Sequence, residues 1–177
     1  MSSRRTVYKP RYKKVRYSNE TTSLNCSSPV DANTQPTIPV YSDTGAKGLI
    51  LVAPTNIQGT RKVKNMTLSV SSAGNNVPLL CSVVYVPQGT SASNLTPSSD
   101  NETGASLYEP NQNVIMQFVM NPVVSTNTGS NVQVFRTKLA RNLDSGDKIV
   151  FVATPAYGYD AAQTVRIVGT FNYAVSY

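Results

Sequence analysis

The stretch "KVKNMTLSV", residues 62–70, has the spacing that decides the fold class. From residue 66 onward every second side chain is apolar, which is the period of a half-buried β-strand, because successive side chains of a strand point to opposite faces of the sheet. Lys64 and Asn65 interrupt that period near its start and indicate a β-bulge. The apolar members are Val63, Met66, Leu68 and Val70.

Short runs rich in Val, Ile, Thr and Tyr recur along the chain between clusters of turn-forming residues, and no long stretch has a helical period. This pattern predicts an all-β, antiparallel two-sheet sandwich, and it leaves immunoglobulin-like and jelly-roll arrangements equally open. Besides the strand at 62–70, six strands are expected at "GLILVAPT" (48–55), "PLLCSVVYV" (78–86), "NVIMQFVM" (113–120), "VQVFRTKL" (132–139), "KIVFVAT" (148–154) and "QTVRIVGTFNYAVSY" (163–177). An eighth strand is either "TIPVY" (37–41) or the product of a bend at Gly169 that divides the last segment into two strands.

The charge of the chain is concentrated at its start. Seven of the 16 basic residues and none of the 9 acidic residues lie in residues 1–17, so the rest of the chain is neutral on balance. Such a segment cannot bury enough apolar surface to fold alone, and we expect a basic arm that is disordered when unbound. Residues 18–47 are rich in Ser, Thr, Asn and Pro and are interpreted as an extended connector to a body at 48–177.

The arm has the composition of a nucleic-acid-binding segment. Closely spaced cations suit a phosphate backbone, and tyrosines between them could stack on unpaired bases. A nuclear-import signal or a solubilising tail are the simpler alternatives. The candidate residues are Arg4, Arg5, Lys9, Arg11, Lys13, Lys14 and Arg16, with Tyr8, Tyr12 and Tyr17.

The body contains two further clusters of cations, "RKVK" (61–64) and "FRTKLAR" (135–141). They could extend the phosphate path of the arm, or they could form a solvated or interface surface paired with acidic residues. The candidates for additional phosphate contacts are Arg61, Lys62, Lys64, Arg136, Lys138 and Arg141.

Several classes of function are disfavoured by composition. The chain has no histidine, which removes the commonest general base and metal ligand, so we expect no enzyme, no cofactor and no metal. Asp144 and Asp147 are interpreted as members of a solvated turn. The two cysteines give no disulfide framework, and Cys81 is expected to be a small core residue. The longest apolar runs fall far below the roughly 20 residues needed to cross a bilayer, so no membrane insertion is predicted.

Four segments of the chain share a pattern with a known family: "GTRKVKNMTLSV" (59–70), "VVYVPQGTSASNL" (83–95), "SLYEPNQNVI" (106–115) and "FRTKLARNLDSGDKIVFV" (135–152). They resemble the coat proteins of circular Rep-encoding single-stranded DNA (CRESS) viruses, including their circovirus-like members. The resemblance implies an eight-stranded jelly roll, sixty copies of which form a T=1 icosahedral capsid around circular single-stranded DNA with the basic arms inside.

On this resemblance the expected partners are a single-stranded DNA genome and further copies of the chain, with a nuclear-import receptor and a cell-surface receptor of the host as additional partners. The expected location is the virion, and the host nucleus during assembly. Tyr108, Glu109 and Pro110, in the long polar connection 87–111, are the candidate interface residues. The rival hypothesis is a non-viral, monomeric β-sandwich binding module with a basic nuclear-localisation tail.

Overall fold

The protein is described by a computed structural model that covers residues 15–30, 50–56, 58–74, 78–90, 113–121, 132–155 and 163–176. These residues form β-strands and connections and contain no helix, so none of their segments is a helix that could span a membrane. The all-β prediction is therefore confirmed. The strands are β1 (Ser18–Val30), β2 (Ile50–Val52), β3 (Arg61–Ala73), β4 (Leu79–Val86), β5 (Val114–Met120), β6 (Gln133–Thr137), β7 (Arg141–Leu143), β8 (Lys148–Pro155) and β9 (Gln163–Ser176).

The strands form two antiparallel sheets. The first has the order β1-β9-β3-β6, with β7 also paired to β3, and the second has the order β2-β8-β4-β5. The pairs are nested along the chain: β4 pairs with β5, β3 with β6 and β7, β2 with β8, and β1 with β9. The chain is thus folded as one long hairpin whose tip is the connection between β4 and β5, and it passes repeatedly from one sheet to the other.

A single apolar core lies between the two sheets. Phe151 on β8 and Phe171 on β9 are fully buried in it. Phe118 on β5 and Phe135 on β6 stack with ring centroids 3.7 Å apart, which joins the two sheets at one side. Burial of each such side chain stabilises the fold by about 1.5–3 kcal/mol, so the core is the main source of stability.

Strand β3 confirms both predictions made from its sequence. Its predicted apolar residues are all fully buried. The register with β9 shifts between Lys64 and Thr67, and Asn65 has a φ of 53°, which is the left-handed conformation of a bulged residue. The bulge restores the inward direction of Met66, so the polar interruption in the sequence reflects a local change of register.

Strands β4 and β8 are buried on both faces. Alternate residues belong to the core, whereas Val84, Val86, Val150 and Val152 form a second buried cluster on the opposite face. This explains why their sequences are continuous apolar runs without alternation. Cys81 is fully buried in the core, as predicted.

The connector assigned to residues 18–47 is wrong over its first part. Residues 18–30 form β1, which pairs with β9 along its whole length, from Ser18 opposite Val175 to Val30 opposite Gln163. The strand escaped recognition because it lies at the edge of the sheet and Leu24 is its one fully buried apolar residue among those whose side chains are described. Residues 31–47, including the strand proposed at 37–41, lie outside the described residues.

Two other boundaries differ from the predictions. The strand expected at 132–139 ends at Thr137, and the chain turns at 138–140 into the short strand β7, which continues beside β3. Strand β9 is continuous through Gly169 and does not divide there. A Cβ atom at Gly169 would lie 2.3 Å from the carbonyl oxygen of Ser69 on β3, so the glycine permits close approach of two backbones.

Candidate nucleic-acid interface

The face of the first sheet that points away from the core is polar. The inward direction of Leu68 and Val70 places their neighbours Thr67, Ser69 and Ser71 on the outward side. The register of β1, β6 and β9 continues this surface across the sheet in rows that consist mostly of hydroxyl and amide side chains, together with the exposed Val134 and Val168. One row runs through Thr21, Asn172, Thr67 and Arg136, and the next runs through Ser23, Thr170, Ser69 and Val134.

Four cations lie on this outward side, which we call the cationic face: Lys62 and Lys64 on β3, Arg136 on β6 and Arg166 on β9. Lys62, Arg136 and Arg166 are exposed, and Lys64 is half-buried.

The cationic face contains no carboxylate among the residues that the structure describes. Asp144 and Asp147 lie in the turn between β7 and β8. Glu20 is opposite Tyr173, on the alternate side of β1 from Thr21 and Asn172. No acidic side chain in the described part of the chain therefore neutralises the positive charges of the face, and phosphate oxygens could take that role.

The start of β1 is attached to the cationic face. The Nζ atom of Lys64 lies 3.6 Å from the centroid of the Tyr17 ring, within the range of a cation–π contact. Arg16, the preceding residue, is exposed. The contact brings together two candidates that the sequence analysis treated separately, and it fixes the point at which the basic arm meets the folded body. The other arm candidates, and the interface candidates Tyr108, Glu109 and Pro110, lie outside the described residues.

Arg61 is a structural residue, which corrects its assignment as a candidate phosphate contact. Its side chain is 6% exposed. Its Nη2 atom donates hydrogen bonds to the carbonyl oxygens of Ala53, at 3.0 Å, and Asp147, at 3.4 Å. Arg61 is opposite Leu143 and points to the same inward side, so its guanidinium ties the connection after β2 to the turn before β8.

The turn before β8 is organised by Asp147, which is buried rather than solvated as predicted. Its carboxylate accepts hydrogen bonds from the Tyr85 hydroxyl at 2.5 Å, the Gln88 amide at 3.0 Å and the Asp144 amide at 2.9 Å. Asp144 is exposed and accepts a hydrogen bond from Thr60. These contacts satisfy the buried carboxylate, so the pair has a structural role at this end of the sandwich.

Tyr85 shows the effect of this environment on ionisation. Burial, the hydrogen bond to Asp147 and the negative charges of Asp147 and Asp144 together raise the pKa of Tyr85 to about 12, whereas the positive charge of Arg141 opposes the rise. The phenol therefore remains protonated at neutral pH and acts as a hydrogen-bond donor to Asp147.

The two remaining predicted phosphate contacts, Lys138 and Arg141, lie in different parts of the fold. Lys138 is exposed and lies one residue beyond the end of β6, where no cross-strand pairing assigns it to the cationic face. Arg141 is half-buried on β7, opposite Val63 and thus on the inward side, and it lines a cavity at the edge of the sheet. Lys62 lines the same cavity, so it belongs to both the cavity and the face.

Sequence reasoning missed Arg166. It is a single cation in β9, whereas the search singled out runs of cations. The signal that could have found it is the alternation in the same strand, because Arg166, Val168, Thr170 and Asn172 are all exposed at two-residue spacing.

No protein-family model matches the chain, and no curated protein matches it. Among solved structures, the chain is similar to the crystal structure of an aminopeptidase from the marine sediment archaeon Thaumarchaeota archaeon, with 12% sequence identity and a TM-score of 0.36. The match covers 93% of this chain and 34% of the aminopeptidase chain, so this chain spans about a third of that structure. A likeness of this degree carries no argument about fold or activity.

Proposed function

We propose that the chain is a viral coat protein that assembles with copies of itself into a small icosahedral T=1 capsid of sixty subunits and packages single-stranded DNA. The basic arm and the cationic face would contact the phosphates. The proposal places the protein in the virion, and in the host nucleus during assembly, with host import and cell-surface receptors as further partners.

The observation that carries the proposal is the cationic face at the junction with the basic arm. Four cations lie on one side of the first sheet with no carboxylate beside them in the described part of the chain. The Tyr17–Lys64 contact starts the arm at this same face. A polyanion bound by the arm would therefore reach the face without crossing the core or the second sheet.

The polar residues between the cations favour the same ligand. Thr67, Ser69, Thr170 and Asn172 offer hydroxyl and amide groups, which commonly bond phosphate oxygens in complexes with nucleic acids. None of these groups lies in a defined groove where it could contact the edge of a base. The surface therefore suits the sugar–phosphate backbone of single-stranded DNA of any sequence. Such binding matches the requirement for packaging a whole genome.

The strand order supports a jelly roll as the finer description of the fold. When β6 and β7 are counted as one position, the nested pairs give two four-stranded antiparallel sheets with the chain crossing between them. This is the architecture of jelly rolls, which many viral capsids use as their building block. Repeated contacts between identical copies of such a unit close into a symmetric shell.

The size of the purified protein tests assembly. Size-exclusion chromatography and electron microscopy are expected to show megadalton particles, whereas a species near the chain mass of 19.1 kDa under all assembly conditions would favour the monomeric binding module. Particles that contain nuclease-protected DNA would support packaging. Deletion of residues 1–14, which spares the Tyr17–Lys64 contact, is expected to leave the body folded and to remove the protected DNA.

A single substitution tests the face separately from the arm. Arg136→Gln is expected to reduce the steepness of the log affinity against log salt plot for single-stranded DNA by about 0.7, the loss of one phosphate contact. Lys138→Gln removes the same charge two residues away, beyond the end of β6 and outside its paired residues, and is the matched control. Equal slopes for the two variants would contradict a role for the face.

A further inference from the structure

Two apolar side chains interrupt the polar outward side of the first sheet. Val134 on β6 is 51% exposed and Val168 on β9 is 48% exposed. Single exposed valines are ordinary on protein surfaces. The feature that distinguishes this pair is its position relative to the cations of the cationic face.

Each of the two valines has an arginine beside it on its own strand. Arg136 follows Val134 by two residues on β6, and Arg166 precedes Val168 by two residues on β9. Residues two apart on a strand point to the same side and lie roughly 6.8 Å apart. All four side chains are exposed. The face therefore presents the same unit twice, a cation next to an apolar side chain.

The two units follow one another along the central strand β3. The cross-strand partners on β3 are Thr67 for Arg136, Ser69 for Val134, Ser71 for Val168 and Ala73 for Arg166. Both valines thus lie between the two arginines, which are separated by about 20 Å along β3. Because β6 and β9 flank β3, the valines are roughly 12 Å apart and cannot contact one base together.

This arrangement matches the two parts of an unpaired nucleotide. A phosphate suits the guanidinium group, and the flat face of a base that is not stacked in a duplex can pack against an apolar side chain. None of the described residues on this side of the sheet carries a carboxylate that would compete for the arginines.

Duplex DNA fits the same surface less well. Its bases are stacked inside the helix and present only their edges, in the grooves. The outward face spans β1, β9, β3 and β6, so the backbones of its outer strands lie about 14 Å apart, whereas the major groove is about 12 Å wide. The valines would therefore remain outside the groove, without a base to contact.

Two other occupants are disfavoured by the same residues. Two copies of the chain that met through this face would bring arginine against arginine, and like charges in an interface oppose association. An anionic membrane would offer negative charge and apolar contact, but its acyl chains would desolvate Ser69, Ser71 and Thr170, which lie beside the valines.

We propose that a single strand of DNA lies diagonally across β6, β3 and β9, with phosphates on Arg136 and Arg166 and two unpaired bases packed against Val134 and Val168. The inference deepens the proposed function, on which the choice of DNA rests, because it makes the cationic face selective for unpaired strands. The valines contact the face of a base and not its edge, so the selectivity is for single strands of any sequence.

Fluorescence anisotropy on the full chain tests the proposal with a short oligothymidylate and a duplex of the same length. The double variant Val134→Thr/Val168→Thr keeps the shape of both side chains and every charge. It is expected to weaken oligothymidylate binding by about fivefold without changing the dependence of log affinity on log salt, because apolar contact is lost and no phosphate contact is. Duplex binding should change by less than about twofold. Val119→Thr, at a 46% exposed position on β5 of the second sheet, is the matched control and should leave both affinities unchanged.

Methyl NMR of the unsubstituted chain gives a second measurement that does not depend on a variant. The methyl signals of Val134 and Val168 are expected to shift on addition of oligothymidylate, and those of Val119 are not. The proposal is overturned if these two signals stay in place, if the double variant binds oligothymidylate as tightly as Val119→Thr does, or if it loses duplex binding to the same extent. Vesicles that contain phosphatidylserine are the third probe, and shifts of the two signals with vesicles alone would overturn the single strand in favour of a membrane.

The proposed function and this inference fail in different ways. Particles that hold protected DNA, formed by a double variant whose affinity for oligothymidylate is unaltered, would overturn the role of the valines and leave packaging intact. A preference for single strands that depends on the valines, in a chain that never forms particles, would support the inference and overturn the capsid.

Discussion

Lys64 places its Nζ atom 3.6 Å from the centre of the Tyr17 ring, so the junction between the basic arm and the sandwich is held by a side-chain contact. The contact lies beside the bulge at Asn65, which displaces the register of β3 from that of β9. The junction therefore depends on a local irregularity of the central strand as well as on the aromatic residue that precedes β1.

Replacement of Tyr17 by Leu is expected to loosen this junction. Leucine keeps apolar bulk but lacks the ring that attracts the ammonium group, and the contact contributes about 0.5–1 kcal/mol at an exposed site. Trypsin should then cut after Arg16 roughly two to five times faster at low enzyme concentration, where cleavage follows the open population. Tyr17→Phe keeps the ring and serves as the control, and equal rates for all three proteins would refute the contact.

Asp147→Asn is expected to lower the free energy of unfolding by about 1.5–3 kcal/mol. The substitution keeps the shape but removes the charge that strengthens three hydrogen bonds at a site that is 5% exposed. Urea denaturation measures the loss. Asp144→Asn, at an exposed position with one side-chain bond to Thr60, is the control and should cost less than about 1 kcal/mol.

The raised pKa of Tyr85 predicts a loss of stability at high pH. The pKa lies at about 12 in the folded protein and at 10.0 in the unfolded chain, so the folded state binds the phenol proton more tightly. The resulting stabilisation is fully present below pH 10 and disappears as the pH rises through 12. Tyr85→Phe removes this linkage, so the difference in unfolding free energy between the two proteins should shrink over that window. A constant difference would show that folding does not raise the pKa of Tyr85.

A carboxylate placed in the middle of the cationic face is expected to weaken binding of single-stranded DNA. Thr170 is exposed and opposite Ser69, so Thr170→Glu adds a negative charge among the four cations and should reduce affinity by about fivefold at low salt. Gln58→Glu makes the same change of charge at an exposed position in the connection before β3. Fluorescence anisotropy measures the affinity for single-stranded DNA. An equal loss of affinity in both variants would contradict a role for the cationic face.

Gly169→Ala is expected to destabilise the protein by about 1–3 kcal/mol, because the added methyl group would overlap the Ser69 carbonyl and force two central strands apart. Thermal unfolding measures the effect, with Thr170→Ala at the exposed neighbouring position as the control. An unchanged midpoint would mean that β9 can move away from β3 at little cost.

The strands that could be predicted from the sequence are of two kinds: those with one buried and one exposed face, and those that are apolar throughout. Strand β3 alternates because one face meets the core, and β4 is a continuous apolar run because both faces are covered. Strand β1 was not predicted, since its partner β9 is distant in sequence and contacts such as Thr21 to Asn172 span 151 residues. Long-range pairing can hold a polar edge strand in place, and no local pattern reports it.

The candidate site was predicted only in part, and the reason is again that cross-strand pairing is not visible in the sequence. Lys62, Lys64 and Arg136 do lie on one face, but Arg61, adjacent in sequence, points into the protein. The direction of each side chain depends on strand register, which the bulge at Asn65 and the end of β6 at Thr137 alter. Composition can therefore indicate that cations are available, whereas cross-strand pairing decides which of them meet.

The position of β9 between β1 and β3 has a consequence for synthesis of the protein. Strand β1 is made before the other described strands, yet in the finished sheet its neighbour is β9, the last of them. A growing polypeptide therefore emerges from the ribosome with the edge of β1 uncovered until translation reaches β9, and the second sheet, whose strands are complete earlier, can form in the meantime. Closure of the first sheet is thus coupled to synthesis of β9, which delays the cationic face until the other described strands of the sandwich exist.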